Sequence, residues 1–338
     1  MTSAAAKVLI TGGAGFIGFH LAGHLLEQTE ARVVLADNLS RGRMDRDLTR
    51  LLDQFQDRVQ LHEADLTDRA AYDDLDQDFD QVFHLAAVNG TKWFYQMPQT
   101  VLRTNILSLF WVLDWLQSTD QKPTFCFTSS NEAYAGALEA FGALPLPTPE
   151  TVPLVVSDPF NPRWSYAGSK LIGEQIVIHT CDALDIPAVI VRPHNFYGPR
   201  AGFDHVIPEL CQRVAGREDP FVLFGAEQTR TFCYIDDAVS AIASLVNHIV
   251  PGTGTSVYNV GGTEEVTMAE LAEKVFRTAG WQPRSIEQRS APTGSVSRRK
   301  PDISKIRSDI GWTPRVTLDD GLRPTFAWYA AATDLPDA

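Results

Sequence analysis

Cysteine is scarce in this chain, with only four residues among 338. Cys126, Cys181, Cys211 and Cys233 form no C-x-x-C pair, which argues against a disulfide framework or a zinc site built on paired cysteines. We expect four buried thiols in a reducing compartment. The eight histidines form no convincing set of ligands either, so no metal site is expected.

Long apolar runs and an excess of positive charge are also missing. No run approaches the ~20 apolar residues of a membrane span, and the stretch from Val8 to Ile10 is too short for an export signal. The net charge is −13, which disfavours binding to nucleic acid or to an anionic membrane. We therefore expect a cytoplasmic protein with neither partner, in which any bound phosphate is held by local features.

What the chain does have is a regular alternation of short apolar runs with helical patterns. The predicted strands are Lys7 to Thr11, Arg32 to Ala36, Val59 to His62, Gln81 to Leu85, Thr124 to Thr128 and Ala188 to Arg192. The predicted helices are Phe16 to Gln28, Asp47 to Phe55, Thr67 to Leu75, Val101 to Gln117 and Tyr166 to Leu184. This alternation predicts an α/β fold with a doubly wound, Rossmann-like parallel sheet, whose site lies at the carboxyl ends of the strands.

The pattern loosens after residue 192. We predict a cofactor-binding domain over residues 1–192, with a return near 232–262 through a strand around Tyr258 to Val260. A smaller C-terminal substrate-binding lobe would occupy most of residues 193–338. In this lobe Thr267 and Glu270 predict a capping box at the start of a helix. The proline-rich stretch from Phe141 to Pro159 is expected to be a loop near the site.

A glycine-rich turn joins the first predicted strand to the first helix, with the sequence TGGAGFIG from Thr11 to Gly18. Gly12 would permit the tight turn, Gly15 would let a pyrophosphate approach the backbone, and Gly18 would let the helix pack on the sheet. The helix would then face the anion with its free N–H groups. The context on both sides of the glycines predicts a dinucleotide site.

An acidic residue ends the second predicted strand. Asp37 lies 19 residues after Gly18, where a carboxylate bonds to the ribose hydroxyls and repels a 2′-phosphate. NAD is therefore predicted over NADP, although Arg41 and Arg43 lie close by and an arginine can accept that phosphate. Asp65, after the third strand, is placed either to meet the adenine end of the cofactor or to cap a helix.

The chemical group is predicted from a tyrosine and a lysine four residues apart. Tyr166 and Lys170 share one face of a helix. The lysine ammonium and a cationic nicotinamide would both lower the phenol pKa from about 10. A phenolate can take a proton from a substrate hydroxyl while hydride leaves the same carbon. A hydroxyl in the segment from Phe127 to Tyr134, at the end of the fifth strand, could share that proton.

Taken together, these features resemble the extended short-chain dehydrogenase/reductases that act as nucleotide-sugar epimerases, dehydratases and decarboxylases. The resemblance covers nearly the whole chain, and several C-terminal motifs are most similar to those of UDP-glucuronate decarboxylases. The matching segments are Thr11 to Gly18, Asp37, Asp65-Leu66, His84 to Ala87, Asn105, Ser129 to Tyr134, Tyr166 to Lys170, Arg192 to Pro199, Gln228 to Asp237, Asn259 to Gly261, Arg299 to Asp302 and Gly311-Trp312.

The resemblance implies a role for each matching residue. Tyr166 would be the acid/base, Lys170 its activator, Ser130 the catalytic hydroxyl and Glu132 an active-site carboxylate. NAD would contact Gly12, Gly15, Phe16, Ile17, Asp37, Asn38, Asp65, Leu66, Leu85, Ala86, Ala87, Asn105, Tyr166 and Lys170. A nucleotide sugar, with UDP favoured, would contact Asn195, Arg230 and one of Arg298, Arg299 or Lys300, of which Arg299 is the candidate we name. Positions that differ from the family pattern give further candidates for contact with the sugar nucleotide, namely Asn89, Lys92, Asn131, His205 and Val206. The resemblance also implies a homodimer in which the helices Val101 to Gln117 and Tyr166 to Leu184 pair across a two-fold axis.

Three departures from the family pattern bear on the reaction. Asn131 stands where glucose 4,6-dehydratases carry an aspartic acid, and an amide cannot protonate a leaving hydroxyl as an acid does. His205 stands at about the place of a decarboxylase arginine, and a histidine charge is not assured at pH 7. The segment from Asn89 to Tyr95 is unlike the familiar versions and indicates an unusual sugar. Within it Lys92 could meet an anionic group and Asn89 a hydroxyl.

The leading expectation is an NAD-dependent nucleotide-sugar epimerase that works through a transient 4-keto sugar and recycles its cofactor. Epimerisation at C4 is the reaction that needs the fewest catalytic groups beyond Ser130, Tyr166 and Lys170. The alternatives are a dehydratase or a UDP-glucuronate decarboxylase that uses Glu132. An alternative of another class is a non-catalytic NAD-binding sensor or scaffold.

Overall fold

The computed structural model describes residues 5–249, 252–291 and 296–332. The strands in chain order are β1 (Lys7–Thr11), β2 (Arg32–Asp37), β3 (Val59–Glu63), β4 (Gln81–His84), β5 (Thr124–Thr128), β6 (Ala188–His194), β7 (Phe196–Tyr197), β8 (Phe221–Phe224), β9 (Thr229–Thr231), β10 (Cys233–Tyr234), β11 (Ser256–Gly261), β12 (Glu265–Thr267), β13 (Ile286–Arg289) and β14 (Arg298–Arg299). The helices are α1 (Phe16–Gln28), α2 (Arg46–Gln54), α3 (Thr91–Gln96), α4 (Pro98–Ser118), α5 (Ala135–Phe141), α6 (Trp164–Ala183), α7 (Val206–Ala215), α8 (Ile235–His248), α9 (Met268–Ala279), α10 (Ser304–Ile310) and α11 (Leu318–Ala331).

Seven parallel strands form the central sheet, in the order β11-β6-β5-β4-β1-β2-β3. The order runs outward in both directions from β1, so crossover helices cover both faces. The predicted doubly wound, Rossmann-like α/β fold is confirmed. In such a sheet the site lies where the order reverses, at the carboxyl ends of β1 and β4.

Alternating side chains of each strand enter two different cores. On β1, Val8 and Ile10 pack in the core that includes α1 and α8, whereas Leu9 packs in the core that includes α4 and α6. All three side chains are fully buried. A strand covered on both faces needs apolar residues at every position, which explains why these strands are continuous apolar runs in the sequence.

The predicted third helix, Thr67 to Leu75, is wrong. The structure has only a short 3-10 helix there, Arg69–Tyr72. Two aspartates explain the difference, because Asp65 accepts from the backbone N–H of Thr67 at 3.0 Å and Asp68 accepts from that of Ala70 at 3.0 Å. Aspartate side chains that bond to nearby N–H groups favour turns over continuous helix.

Beyond β6 the chain forms small sheets and a second group of helices. The order β12-β9-β14 makes one sheet, and β8 pairs with β13. The strand predicted around Tyr258 to Val260 is β11, which extends the central sheet beside β6. The predicted capping box is present, with Glu270 N donating to Thr267 Oγ1 at 3.1 Å and Thr267 N donating to the Glu270 carboxylate at 2.7 Å. Helix α8, which packs against α1, was not predicted.

The four cysteines are free and buried. Within the described ranges, none of the helices combines the length and apolarity that crossing a bilayer requires.

Candidate active site

The turn between β1 and α1 leaves no room for a side chain at three glycines. Gly12 has a φ of +70°, and a Cβ there would lie 2.8 Å from the backbone nitrogen of Ala86. A Cβ on Gly13 would lie 2.9 Å from the Cα of Leu35, and one on Gly18 would overlap the carbonyl oxygen of Gly12. A Cβ on Gly15 would meet, among the described residues, that same oxygen at 3.2 Å. The backbone of the turn is therefore bare of side chains, as a backbone that a phosphate approaches closely must be.

A cleft of about 250 Å³ lies over this turn at the carboxyl edge of the sheet. It is lined by the predicted cofactor residues Gly12, Gly15, Phe16, Ile17, Asp37, Asn38, Asp65, Leu66, Leu85, Ala86 and Ala87. Helix α1 begins here without a side-chain cap, so the N–H groups of its first turn have no side-chain acceptor and are available to an anion. The shape of the turn and its donors therefore fit the pyrophosphate of a dinucleotide.

Asp37 is buried at the edge of this cleft. Its carboxylate accepts from Ala14 N at 3.0 Å and from Leu39 N at 2.8 Å. Burial raises the pKa of this carboxyl, and the two N–H donors oppose the rise. A carboxylate offers about four lone-pair sites, so acceptor capacity remains for ribose hydroxyls.

The two arginines near Asp37 are engaged with aromatic rings. The guanidinium of Arg41 lies over Trp93 at 5.3 Å from the ring centroid, and that of Arg43 lies over Phe203 at 5.5 Å. Arg41 lines the same cleft as Asp37, and the carboxylate of Asp37 is the feature here that favours NAD over NADP, because it repels a 2′-phosphate.

Asn105 is buried and does not belong to the lining of the cleft, and its contact with NAD stays a prediction. Its Oδ1 accepts from Val88 N at 2.7 Å, and its Nδ2 donates to Ser169 Oγ at 3.0 Å and to Val88 O at 3.2 Å. The amide of Asn105 therefore links the loop after β4 to helix α6, beneath the residues that line the cleft.

The predicted catalytic residues come together between β5 and α6. Tyr166 lies in the first turn of α6, near the Ser130 hydroxyl, whose influence lowers the pKa of the phenol. Lys170 lies one turn later, where its Nζ donates to the carbonyl oxygen of Thr128 at 2.8 Å and is 5.9 Å from the centroid of the tyrosine ring. Ser130 Oγ also accepts from Glu132 N at 3.2 Å, which caps the 3-10 helix Asn131–Tyr134.

Burial dominates the protonation of this group. It raises the pKa of Tyr166 to about 12, against the opposing hydrogen bond of Ser130 and the charge of Arg41. Burial also lowers the pKa of Lys170 to about 7, against the opposing charge of Glu174. The protein alone therefore holds a neutral phenol. A cationic nicotinamide, when bound, supplies the further positive charge that favours the phenolate.

Glu132 lies among three arginines. Its Oε1 is 2.5 Å from Arg299 Nη1, and its Oε2 is 3.8 Å from Arg163 Nη2. The register of β14 and β9 places Arg299 opposite Arg230, and like charges in that position repel. Burial would raise the pKa of Glu132, but the charge and hydrogen bond of Arg299, with Arg163 and Arg230, lower it. Glu132 is therefore an ionised counter-ion of the arginines.

The remaining predicted substrate residues fall into two groups. Asn131 is buried beside Ser130, and its Nδ2 lacks a partner among the described residues. Asn195 donates from Nδ2 to the carbonyl oxygen of Thr231 at 2.8 Å, which uses one of its donors within the protein.

The second group lies nearer the cofactor cleft. Asn89 and His205 line this cleft, and His205 precedes α7 as its N-cap residue. Val206 is the first residue of α7 and is 37% exposed. Lys92 is exposed on α3. Their contacts with a sugar stay predictions.

Several residues of the site gave no usable signal in the sequence. Phe94 of α3 stacks on Tyr166, with ring centroids 5.6 Å apart and planes 15° from parallel. Arg163 lies three residues before Tyr166 but belongs to no motif. Glu174 lies one helical turn after Lys170 but belongs to no motif, and its pairing with Arg192, with contacts of 2.7 and 2.8 Å, is visible only in three dimensions.

The fold and the site together define an NAD-dependent enzyme of the class that acts on nucleotide sugars. The model of the "NAD dependent epimerase/dehydratase family" matches residues 8–261, and the chain belongs to this family. The cofactor is NAD, since the family depends on it and solved relatives hold it.

Similar proteins span almost the full chain. UDP-N-acetyl-alpha-D-glucosaminuronate decarboxylase of Bacillus cytotoxicus is 28% identical over 331 residues, which cover 96% of this chain and 97% of that one. UDP-glucuronic acid decarboxylase 6 of Arabidopsis thaliana is 30% identical over 319 residues, covering 94% and 86%.

Solved structures of epimerases are similar as well. The UDP-glucose 4-epimerase of Thermotoga maritima with UDP-glucose has 25% identity and a TM-score of 0.81, and the match covers 97% of this chain and 100% of that one. The UDP-glucuronic acid 4-epimerase of Bacillus cereus, in complex with UDP-glucuronic acid and NAD, has 25% identity and a TM-score of 0.80, with coverage of 96% and 99%.

The glycine turn is tested by paired substitutions in α1. We expect Gly18→Ala to weaken NAD binding at least about tenfold, or to prevent folding, because its Cβ overlaps the Gly12 carbonyl and a tenfold loss needs only about 1.4 kcal/mol. Gly23→Ala is the control, since its Cβ would meet only Leu51 Cδ1 at 4.0 Å. Calorimetric titration with NAD and thermal melting measure both. Wild-type NAD affinity in Gly18→Ala would refute the assigned packing.

Proposed function

We propose that this protein is an NAD-dependent 4-epimerase of a nucleotide sugar, with a UDP-linked sugar favoured. The observation that carries the proposal is the assembly of the phenol of Tyr166 with the nearby Ser130 hydroxyl and with Lys170 one turn away. These groups are sufficient to move a proton on and off one sugar hydroxyl. The same assembly disfavours a non-catalytic sensor, which has no need of it.

The proposed reaction is redox-neutral over one cycle. NAD, held by the glycine turn and Asp37, would supply the acceptor for a hydride from C4 and would give the hydride back within the same cycle. Tyr166 removes the C4 hydroxyl proton, and the nearby hydroxyl of Ser130 shares that proton. The resulting 4-keto sugar rotates in the site and presents its opposite face to the cofactor. Hydride then returns to C4 from that face, and Tyr166 gives the proton back to the new hydroxyl. No proton transfer at C3 or C5 is involved, so no second base is needed.

The state of Glu132 supports epimerisation over its rivals. Its contact with Arg299 lowers its pKa, and a carboxylate stabilised in its ionised form is a weaker base. Asn131, next to it, cannot donate a proton as an acid does. Both features make dehydration of the glucose 4,6 type more demanding than a reaction confined to C4, because that dehydration needs a base and an acid besides Tyr166, whereas Asn131 leaves decarboxylation open.

A Glu132-dependent reaction is the second candidate. Glu132 belongs to the same 3-10 helix that Ser130 caps, so it lies beside the reacting carbon in the proposed pose. Two of the similar proteins are decarboxylases of UDP-linked uronates, at 28% and 30% identity. If an incoming diphosphate replaced Glu132 as the counter-ion of Arg299, the carboxylate would regain its basicity.

The reaction is tested by product analysis with a matched active-site variant. The enzyme with NAD is offered UDP-, GDP-, CDP- and dTDP-hexoses and hexuronates, and the products are identified by mass spectrometry and NMR. We expect unchanged mass with inverted C4, and we expect Tyr166→Phe to lower turnover by roughly 10²–10⁴-fold because the proton acceptor is gone. Loss of water or carbon dioxide, or near-normal turnover in Tyr166→Phe, would contradict the proposal.

Glu132→Gln separates the two candidates. For a 4-epimerase we expect turnover to fall less than about tenfold, whereas a reaction that uses Glu132 as its base should lose about 10²-fold or more.

We also expect UDP to bind the Glu132→Gln variant more tightly, because the carboxylate no longer competes for Arg299. Calorimetry with UDP measures this. Glu139→Gln, on the exposed face of α5, is the control. Unchanged UDP affinity in Glu132→Gln would contradict the counter-ion role.

We also propose a homodimer in which α4 and α6 pack across a two-fold axis. Phe110 on α4 is 44% exposed and Ile172 on α6 is 42% exposed, and large apolar side chains on neighbouring helices mark an interaction surface. Light scattering at micromolar concentration should give twice the mass of one chain. The double variant Phe110→Lys, Ile172→Lys should give the monomer mass. A monomeric wild-type protein would exclude this assembly.

A further inference from the structure

Two loops meet above the cofactor cleft. Arg41 lies in the loop after β2, and Trp93 lies on α3, after β4. In the sheet, β1 lies between β4 and β2, so these loops flank the glycine turn on opposite sides. The Arg41 guanidinium nevertheless lies over the Trp93 ring, 5.3 Å from its centroid. A contact between the two side chains therefore spans the mouth of the cleft.

A third segment joins them there. Gly90 precedes α3 with a φ of +109°, and a Cβ on it would lie 3.8 Å from Arg41 Nη2 and 3.9 Å from an Asp204 carboxylate oxygen. Asp204 lies in the stretch before α7 that lines the cleft. The charge of this carboxylate attracts that of Arg41. The guanidinium thus lies where the loops after β2 and β4 and the stretch before α7 converge.

The loop that carries Trp93 is anchored at both ends. Asn105 bonds to both backbone polar groups of Val88, where the loop leaves β4. At its other end Phe94 stacks on Tyr166. Arg41, in contrast, is an exposed side chain on a loop. The aromatic side of the contact is consequently fixed, and the arginine is the part that must move for the cleft to open.

We propose that Arg41 and Trp93 form a strap that closes over bound NAD and slows its release. This rests on the proposed function, because a cofactor that is reduced and reoxidised within one cycle must stay bound between the two steps. The strap places a positive charge over a cleft that receives a diphosphate, in a chain whose net charge is −13. The aromatic face of Trp93 holds that charge in position through a cation–π contact.

The test measures cofactor release without any sugar. The protein is loaded with NADH, excess NAD is added, and the loss of bound-NADH fluorescence gives the dissociation rate. We expect Trp93→Ala and Arg41→Met each to speed release by about fivefold, and the double variant to be no faster than the faster single variant, because both remove one contact. Trp93→Phe retains an aromatic face and should release NADH at a rate nearer to that of the wild type.

Arg43→Met is the matched control, since Arg43 lies in the same loop but stacks on Phe203. A wild-type rate of NADH release in Trp93→Ala would overturn the strap. It would also be overturned if the effects of the two single variants on the release rate multiplied in the double variant, because Arg41 would then act independently of Trp93, as a phosphate ligand only. Melting temperatures check folding, and Arg41→Met keeps the test informative if Trp93→Ala does not fold, because a wild-type release rate in Arg41→Met would also overturn the strap. A protein that fails to epimerise any sugar would still give these rates, so failure of the proposed function is distinguishable from failure of the strap.

Discussion

The buried ion pair between Glu174 and Arg192 holds the catalytic groups in one frame. Glu174 comes from α6, the helix of Tyr166 and Lys170, and Arg192 comes from β6. Both side chains are nearly inaccessible to solvent, and the same carboxylate accepts from Ser129 Oγ at 2.5 Å, next to Ser130 at the end of β5. One carboxylate therefore fixes a helix and two strand ends. Removing one partner of such a pair typically costs about 3–5 kcal/mol, so the frame is rigid.

Two neighbouring groups of side chains on this frame differ in their charge. Tyr166 is partly buried and has a pKa of about 12, so its phenol is neutral, whereas buried Lys170 has a pKa of about 7 and is partly protonated near neutral pH. Glu132 is held in its ionised form by Arg299. In the proposed reaction, Tyr166 would gain its reactive state when positive charge arrives with the cofactor, and Glu132 would be released when another anion takes Arg299.

The parts of the fold and site that follow from local pattern could be predicted from sequence. The strands β1 to β6, the glycine turn and the pairing of Tyr166 with Lys170 depend on spacing within about 20 residues. The predicted helix from Thr67 to Leu75 was wrong because aspartate side chains compete for its backbone N–H groups.

Contacts between distant segments left no such pattern. The amide of Asn105 is hydrogen-bonded to the loop after β4. The family resemblance singles out Asn105, but it does not show which part of the protein this side chain contacts. Helix α3 lies within the segment from Asn89 to Tyr95, whose sequence is unlike the familiar versions of the family. Only the fold shows that Phe94 contacts Tyr166 and that Trp93 contacts Arg41. These pairs join loops that the order of strands brings together.

The central claim is that hydride leaves C4 and returns to the same sugar on a retained cofactor. A crossover experiment tests it most directly, with an equal mixture of unlabelled nucleotide sugar and the same sugar carrying deuterium at C4 and ¹³C in the ring. The account predicts that deuterium stays at C4 and only in ¹³C-labelled product. Deuterium in unlabelled product, or its loss to solvent, would contradict it.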